Sequence, residues 1–167
     1  MIERIFMNNK FEKWLRDNEW QVEVHLSSFD CSKIDVLKRF RNIPDSFVDF
    51  LEHFKSITSK DDTTWFICGG DYNDDSDDAF KWNEYELMSL EAADSDSDGK
   101  KEIEDWWSDK LPFLMSVKDG YLFYAIDLGE NNGTIIKGEE PEFEETYVIA
   151  NNFNDFLEKV MNNAIIL

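Results

Sequence analysis

Residues 113–160 read FLMSVKDGYLFYAIDLGENNGTIIKGEEPEFEETYVIANNFNDFLEKV, and they carry the clearest structural signals in the chain. Two dipeptides, Asp119-Gly120 and Asn132-Gly133, separate its apolar runs. Such dipeptides predict β-hairpins, because both turn residues must tolerate a positive φ. Residues 153–160 instead carry apolar side chains at helical spacing. The stretch therefore predicts an antiparallel meander closed by a helix.

The rest of the chain adds helices before this meander and strands leading into it. Pro44 suits the start of a helix whose apolar stripe is Phe47, Phe50, Leu51 and Phe54. Asn9 followed by Glu12 predicts an earlier helix over 9–18, and Ser32 with Asp35 predicts another. The predicted strands are 65–68, 84–88, 113–117, 121–126, 134–136 and 147–150. Helices at both ends with strands between them indicate an α+β fold.

Length and composition favour one folded unit. The chain has 167 residues, of which 42% are apolar, so it is large enough to bury a core without disulfides. No repeat or Pro-rich linker divides it. We expect a single domain over residues 1–167, with acidic loop insertions near 69–80 and 91–101.

The net charge of -20 is concentrated in the later part of the chain. Residues 61–167 contain seven Lys or Arg and twenty-seven Asp or Glu, whereas the first sixty residues are balanced. A field of this sign repels nucleic acids and anionic membranes and attracts basic proteins. We therefore expect a basic protein partner, with no binding to nucleic acid or membrane.

The two cysteines point to a reducing compartment. Cys31 and Cys68 lack CxxC spacing, and the chain shows neither a signal-peptide core nor a run of 18 apolar residues. We expect both thiols to be buried and unpaired, in a cytoplasmic protein.

Motifs for catalysis, cofactors and metals are missing from the sequence. His25 and His53 belong to no zinc pattern, and neither a GxSxG elbow nor a phosphate-binding glycine motif occurs. Asp94-Ser-Asp-Ser-Asp-Gly99 matches half a calcium loop, but the twelfth position is Asp105 where a longer Glu is wanted. We expect no enzyme, no cofactor, and no calcium requirement for folding. A hydrolase using clustered carboxylates is a weaker alternative.

Aromatic residues beside the acidic tracts are candidate anchors for a partner, because rigid rings supply contact area at little entropy cost. The alternative is that the tracts are solvated loops and the aromatics belong to the core. The predicted partner-binding residues are Asp71, Tyr72, Asp74, Asp75, Asp77, Asp78, Trp82 and Trp106.

Several patterns occur in the order found in a known family. They are Ile43-Pro44-Asp45-Ser46-Phe47 with Phe50-Leu51, then 86–92, 113–127, Gly138 with Pro141-Glu142-Phe143-Glu144, and 150–157. In this ordered set the chain resembles the cell-wall-assembly regulators named after the yeast Smi and Knr proteins, within the SUKH superfamily. The chain departs from the family in having Ile43 before the helix proline and Lys-Ser-Ile-Thr after that helix.

The resemblance implies a curved, largely antiparallel sheet packed by N-terminal helices and a C-terminal helix, with no catalytic residues. Many bacterial members of the superfamily are immunity proteins that bind toxins, whereas fungal members act as regulatory interaction proteins. Two hypotheses follow. The first is an immunity protein that neutralises a cognate, basic toxin domain by direct binding, and the second is a regulatory or scaffold module.

Overall fold

The computed structural model describes residues 2–73 and 80–167, and within them the chain forms five α-helices and seven β-strands. The helices are α1 (Ile2–Asp17), α2 (Asp45–His53), α3 (Glu84–Ala93), α4 (Ser97–Trp107) and α5 (Phe153–Met161). The strands are β1 (Gln21–Val24), β2 (Phe54–Thr58), β3 (Thr64–Phe66), β4 (Lys110–Ser116), β5 (Leu122–Asp127), β6 (Thr134–Glu139) and β7 (Tyr147–Ala150). Short 3₁₀ helices lie at Cys31–Lys33, Asp35–Arg39 and Asp71–Asn73. The α+β class is confirmed.

The sheet is a single antiparallel meander. Each strand pairs with the next along the chain, so the spatial order from β1 to β7 is the sequence order. The sheet is curved and open, with register shifts in three of its pairings. Gly120 and Gly133 have φ values of +96° and +91°, as the hairpin prediction requires.

Helices cover both faces of this sheet. Alternate residues of β5 point to opposite faces: the Phe123 ring lies 5.0 Å from that of Trp107 on α4, and the Tyr124 ring lies 5.3 Å from that of Phe156 on α5. Helices α1, α2 and α5 pack together on the Tyr124 face. We call them the first helical layer, and α3 with α4 the second. Covering on both faces explains why β5 is apolar at nearly every position.

The predicted stripe of α5 is confirmed, and so is that of α2 except at Phe54, which is buried but begins strand β2. Phe47, Phe50 and Leu51 of α2 are fully buried, and so are the stripe residues of α5. Asn152 caps α5, since its side chain accepts a hydrogen bond from the Asp155 N–H at 2.9 Å.

Four predictions of secondary structure are wrong. Residues 84–88 begin helix α3 and are not a strand, because strong helix formers continue to Ala93. Tyr85 also anchors this helix on the sheet, since its hydroxyl donates a hydrogen bond to the Ser116 carbonyl at 3.1 Å. Helix α1 begins at Ile2, which places Asn9 inside it and excludes a cap. The predicted helix near Ser32 is two short 3₁₀ helices. The helices are not confined to the ends, because α3 and α4 lie between β3 and β4.

The expected insertion at 91–101 is largely helical, which corrects that prediction. Only residues 94–96 connect α3 to α4. The Asp96 side chain accepts a hydrogen bond from the Gly99 N–H at 3.0 Å, and Asp98 follows in the first turn of α4. Carboxylates are favourable there because the helix start presents unpaired N–H groups and a positive dipole end. These acidic residues thus start a helix.

Candidate functional site

Of the predicted partner-binding residues near 71–78, the structure describes only Asp71 and Tyr72. Tyr72 is buried, and its hydroxyl donates to the Pro112 carbonyl at 2.7 Å, so the prediction that Tyr72 contacts a partner is wrong. Burial also raises the pKa of its phenol well above the usual value. The Asp71 carboxylate accepts from the Cys68 N–H at 2.8 Å. Asp74, Asp75, Asp77 and Asp78 lie outside the described residues.

Trp82 belongs to a junction between the segment before α2 and the second helical layer. Arg39 lies at the centre of this junction. Its guanidinium is 3.2 Å from the buried Glu86 carboxylate and donates a hydrogen bond to the Trp107 carbonyl at 3.1 Å. Its guanidinium also lies 5.3 Å from the Phe40 ring and 5.6 Å from the Trp82 ring. Trp82 is half-buried, and these contacts indicate a packing role.

Trp106, at the end of α4, is also half-buried. The Lys110 ammonium lies 5.1 Å from its ring centroid, and the Trp107 ring packs edge-on at 4.8 Å. Lys110 is itself paired with the buried Asp127 at 3.3 Å. Part of the Trp106 ring therefore remains accessible, and its contact with a partner stays a prediction.

The structure brings two distant acidic segments to one place. The connection from β6 to β7, rich in glutamate, folds against helix α3 and the middle of α4. Between them lies an open cleft of about 470 Å³, which we call the acidic cleft. Its lining residues are Met88, Ser89, Ala92, Ala93, Ile103, Glu140, Pro141, Glu142, Phe143 and Glu144.

The floor and two rim carboxylates of the acidic cleft are held in place by the fold. Phe143 is buried, and its ring stacks on that of Tyr85 with centroids 4.7 Å apart. Glu144 accepts a hydrogen bond from the Trp107 indole N–H at 2.8 Å, and Glu140 accepts from the Tyr121 N–H at 3.1 Å. The connection is therefore anchored at both ends, which limits the entropy that these side chains lose on binding.

The electrostatics of the acidic cleft favour a cation. Its lining, within the described residues, contains three carboxylates and no Lys, Arg or His. Glu140, Glu142 and Glu144 also have no Lys, Arg or His within 4.0 Å anywhere in the described part of the chain. An apolar floor with unpaired carboxylates at its edge suits a protein segment that combines apolar and basic side chains.

Sequence reasoning missed the acidic cleft for two reasons. Assigning 84–88 to a strand removed α3, which supplies Met88 and Ala92. The cleft also joins residues about 50 positions apart, and no local pattern reports such an approach. The only available signal was the density of glutamate in 139–145.

The half calcium motif does not form a calcium loop. Its later part lies in helix α4, where Asp98 and Asp105 are about 10 Å apart along the axis. Lys101 pairs with Asp105 at 2.7 Å, as expected one turn apart on a helix. In residues 2–73 and 80–167, no group of three or more His, Cys, Asp or Glu side chains is arranged to hold a metal ion.

Both cysteines are buried and unpaired, as predicted. Burial, with the negative charges of Glu52 and Asp30, raises the pKa of the Cys31 thiol to about 11. The pKa of Cys68 is raised further, also mainly by burial. Neither thiol is therefore activated as a nucleophile.

Comparison with known proteins supplies the context for this geometry. No helix in the described part of the chain has the length and apolar character needed to span a bilayer. The comparison with curated proteins found no match. Residues 33–159 match the profile of the SMI1 / KNR4 family (SUKH-1), a region that runs from the first 3₁₀ helix into α5 and includes the whole acidic cleft. Because this match covers most of the 167 residues, the chain belongs to the SMI1 / KNR4 family (SUKH-1).

Proposed function

We propose that this protein is a non-catalytic binding domain that acts as an immunity protein and neutralises a cognate toxin domain by direct binding. The observation that carries the proposal is the acidic excess in residues 61–167, most of which lies within the segment that matches the family. A toxin that cleaves nucleic acid needs a basic surface to bind phosphates. An acidic protein can cover that surface and exclude the substrate.

The charge also predicts how the two proteins meet. Opposite potentials accelerate association at low ionic strength, and salt screens the effect over about 8–10 Å at 0.10–0.15 M. We therefore expect an association rate that falls steeply with salt and a dissociation rate that changes less.

The test uses a basic toxin domain, taken from a gene adjacent to that of this protein where one is found there. The two chains are co-expressed in a bacterial host, and growth is compared with that of cells making the toxin alone. We expect growth to be restored, the purified chains to form a complex, and toxin activity to fall to zero at an equimolar ratio. Loss of protection with wild-type protein would contradict the proposal.

A charge variant tests whether the acidic tract at 71–78 contributes to toxin binding. Changing Asp74, Asp75, Asp77 and Asp78 to Asn should lower the association rate for the toxin and leave its dissociation rate nearly unchanged. A matched control removes four charges from exposed carboxylates without ion-pair partners among the described residues. These are Glu3, Glu52, Glu130 and Glu158, each changed to Gln. Equal effects of the two variants would show that only net charge matters.

A regulatory or scaffold role is the second candidate, because the family that the chain belongs to is named after regulators. In that case the partner is a cellular protein, for example an enzyme of envelope synthesis. The two candidates differ in one outcome. A regulatory module gives no protection against a neighbouring toxin, yet co-purifies with the same chromosomally encoded protein in wild type and not in a variant with a blocked binding surface.

A further inference from the structure

We propose that the acidic cleft is the docking site for a basic protein segment that inserts an apolar side chain between α3 and the β6–β7 connection. This inference deepens the proposed function, on which it rests, by assigning the surface and the chemistry of the partner. The occupant carries Lys or Arg on either side of one or two apolar residues.

The shape of the acidic cleft supports the apolar part of the assignment. Its volume of about 470 Å³ lies within the range of about 300–1,000 Å³ that is typical of ligand pockets. Met88 and Ile103 are half-buried and face it, and Ala92 is exposed at its wall. Small alanine side chains leave room between larger apolar neighbours. An inserted apolar side chain would remove this surface from water.

The rim supports the basic part of the assignment. Glu140 and Glu144 already accept hydrogen bonds from Tyr121 and Trp107, so each holds one oxygen in place and leaves the rest of the carboxylate available. Glu142 is exposed and without a cationic partner among the described residues. The three negative charges at the cleft repel one another, and cations of the occupant would reduce this repulsion.

Several other carboxylates of this protein form ion pairs within the chain. Exposed acidic residues in the first sixty positions commonly pair with a nearby cation, as Glu19 does with Lys60 at 2.7 Å and Glu23 with Lys55 at 3.0 Å. The acidic cleft combines apolar lining with unpaired charge. This combination distinguishes it from a solvated acidic loop.

The experiment uses three synthetic peptides and isotope-labelled full-length protein. The first peptide repeats Lys-Leu-Leu-Lys, the second replaces each Lys by Glu, and the third replaces each Leu by Ser. In NMR titrations we expect only the first peptide to shift the amides of 88–93, 103, 140 and 142–144 together, since Pro141 has no amide proton. Shifts centred elsewhere, or equally tight binding of the Lys-Ser peptide, would overturn the inference.

A blocking variant makes the test specific. Ala92→Arg places a large cation at the wall of the cleft, and arginine is nearly as good a helix former as alanine, so the fold is retained. We expect Kd for the Lys-Leu peptide to rise about tenfold or more. Asn9→Arg makes the same charge change at an exposed position of α1, in the opposite helical layer, and should alter Kd by less than about twofold. If both variants weaken peptide binding equally, the effect comes from net charge alone and the assigned docking site is wrong.

A charge variant tests the rim. Glu140→Gln with Glu142→Gln keeps the hydrogen-bond acceptors, removes two charges and should weaken peptide binding about fivefold at low salt. Glu130→Gln with Glu158→Gln removes two charges away from the cleft and should change Kd by less than about twofold. If the second pair has the larger effect, the inference is wrong.

The toxin assay separates this inference from the proposed function. If wild type protects against the toxin and Ala92→Arg protects equally well, the function stands and the docking site is elsewhere. If wild type gives no protection but binds the Lys-Leu peptide in the cleft, the immunity role fails and the docking site stands.

Discussion

Phe50→Ala should be the most destabilising single substitution in the first helical layer. Phe50 is fully buried, and five aromatic rings surround it, with centroid distances of 4.7 Å to Phe54, 5.1 Å to Phe153 and 5.5 Å to Phe66, and slightly more to the other two. Losing the buried ring costs about 2 kcal/mol of transfer free energy. A cavity of roughly 100 Å³ adds about 2 kcal/mol, because helices and sheet enclose the site and cannot collapse around it.

The measurement is urea unfolding followed by circular dichroism. With a total loss of about 4 kcal/mol and a denaturant slope of about 2 kcal/mol per molar, the midpoint should fall by about 2 M. Phe6→Ala is the matched control, because the Phe6 side chain is 66% exposed and the same atoms are removed. Its midpoint should stay within about 0.3 M of the wild-type value. A Phe50→Ala protein that unfolds like the control would refute the assigned packing of α2.

Three further substitutions or treatments test other parts of the structure. Arg39→Met should lower the free energy of unfolding by about 2–3 kcal/mol, because it leaves the buried Glu86 carboxylate without its cation. Arg41→Met removes a cation from an exposed site and should leave the free energy of unfolding nearly unchanged in the same urea titration. The N–H of Asn151, aided by Lys159, lowers the pKa of Asp155, so its contribution to stability is present above the unfolded pKa near 3.9 and is lost as the pH falls through the folded value. Asp155→Asn should therefore flatten the loss of stability between about pH 4 and pH 2, and an unchanged slope would contradict this. Iodoacetamide at pH 8 should label Cys31 and Cys68 slowly in the native protein and rapidly in urea. The reason is that a pKa of about 11 leaves only about a thousandth of Cys31 as thiolate. Fast labelling of the native protein would show that the thiols are exposed.

Much of the fold could be predicted because its signals are local. The stripes of α2 and α5 repeat within a few residues, so periodicity alone shows which side chains are buried. Gly120 and Gly133 could be assigned to turns from the sequence, because their positive φ values are favourable for glycine. The ordered motifs indicated the family for the same reason, since each is read within a short window.

Short or ambiguous elements were harder to predict. Strands β1 and β2 have four and five residues, and β2 follows α2 directly, with no turn residue between His53 and Phe54. Residues 84–88 alternate between polar and apolar like a strand, but tertiary packing selects a helix, because Tyr85 then reaches the sheet and Glu86 reaches Arg39. Context overrides local pattern when the pattern covers only the five residues 84–88.

The linear chain was enough to infer the fold class, the family, the position of the negative charge and the reduced state of the cysteines, because each depends on composition or on neighbours along the chain. The accessibility of individual polar and aromatic residues depends instead on tertiary packing. Tyr72 stands beside five aspartates and is nevertheless buried, whereas Glu140 and Glu142 meet α3 across about 50 residues of chain. A binding surface is an arrangement in space, and its residues come together only when long-range burial fixes the path of the chain between them.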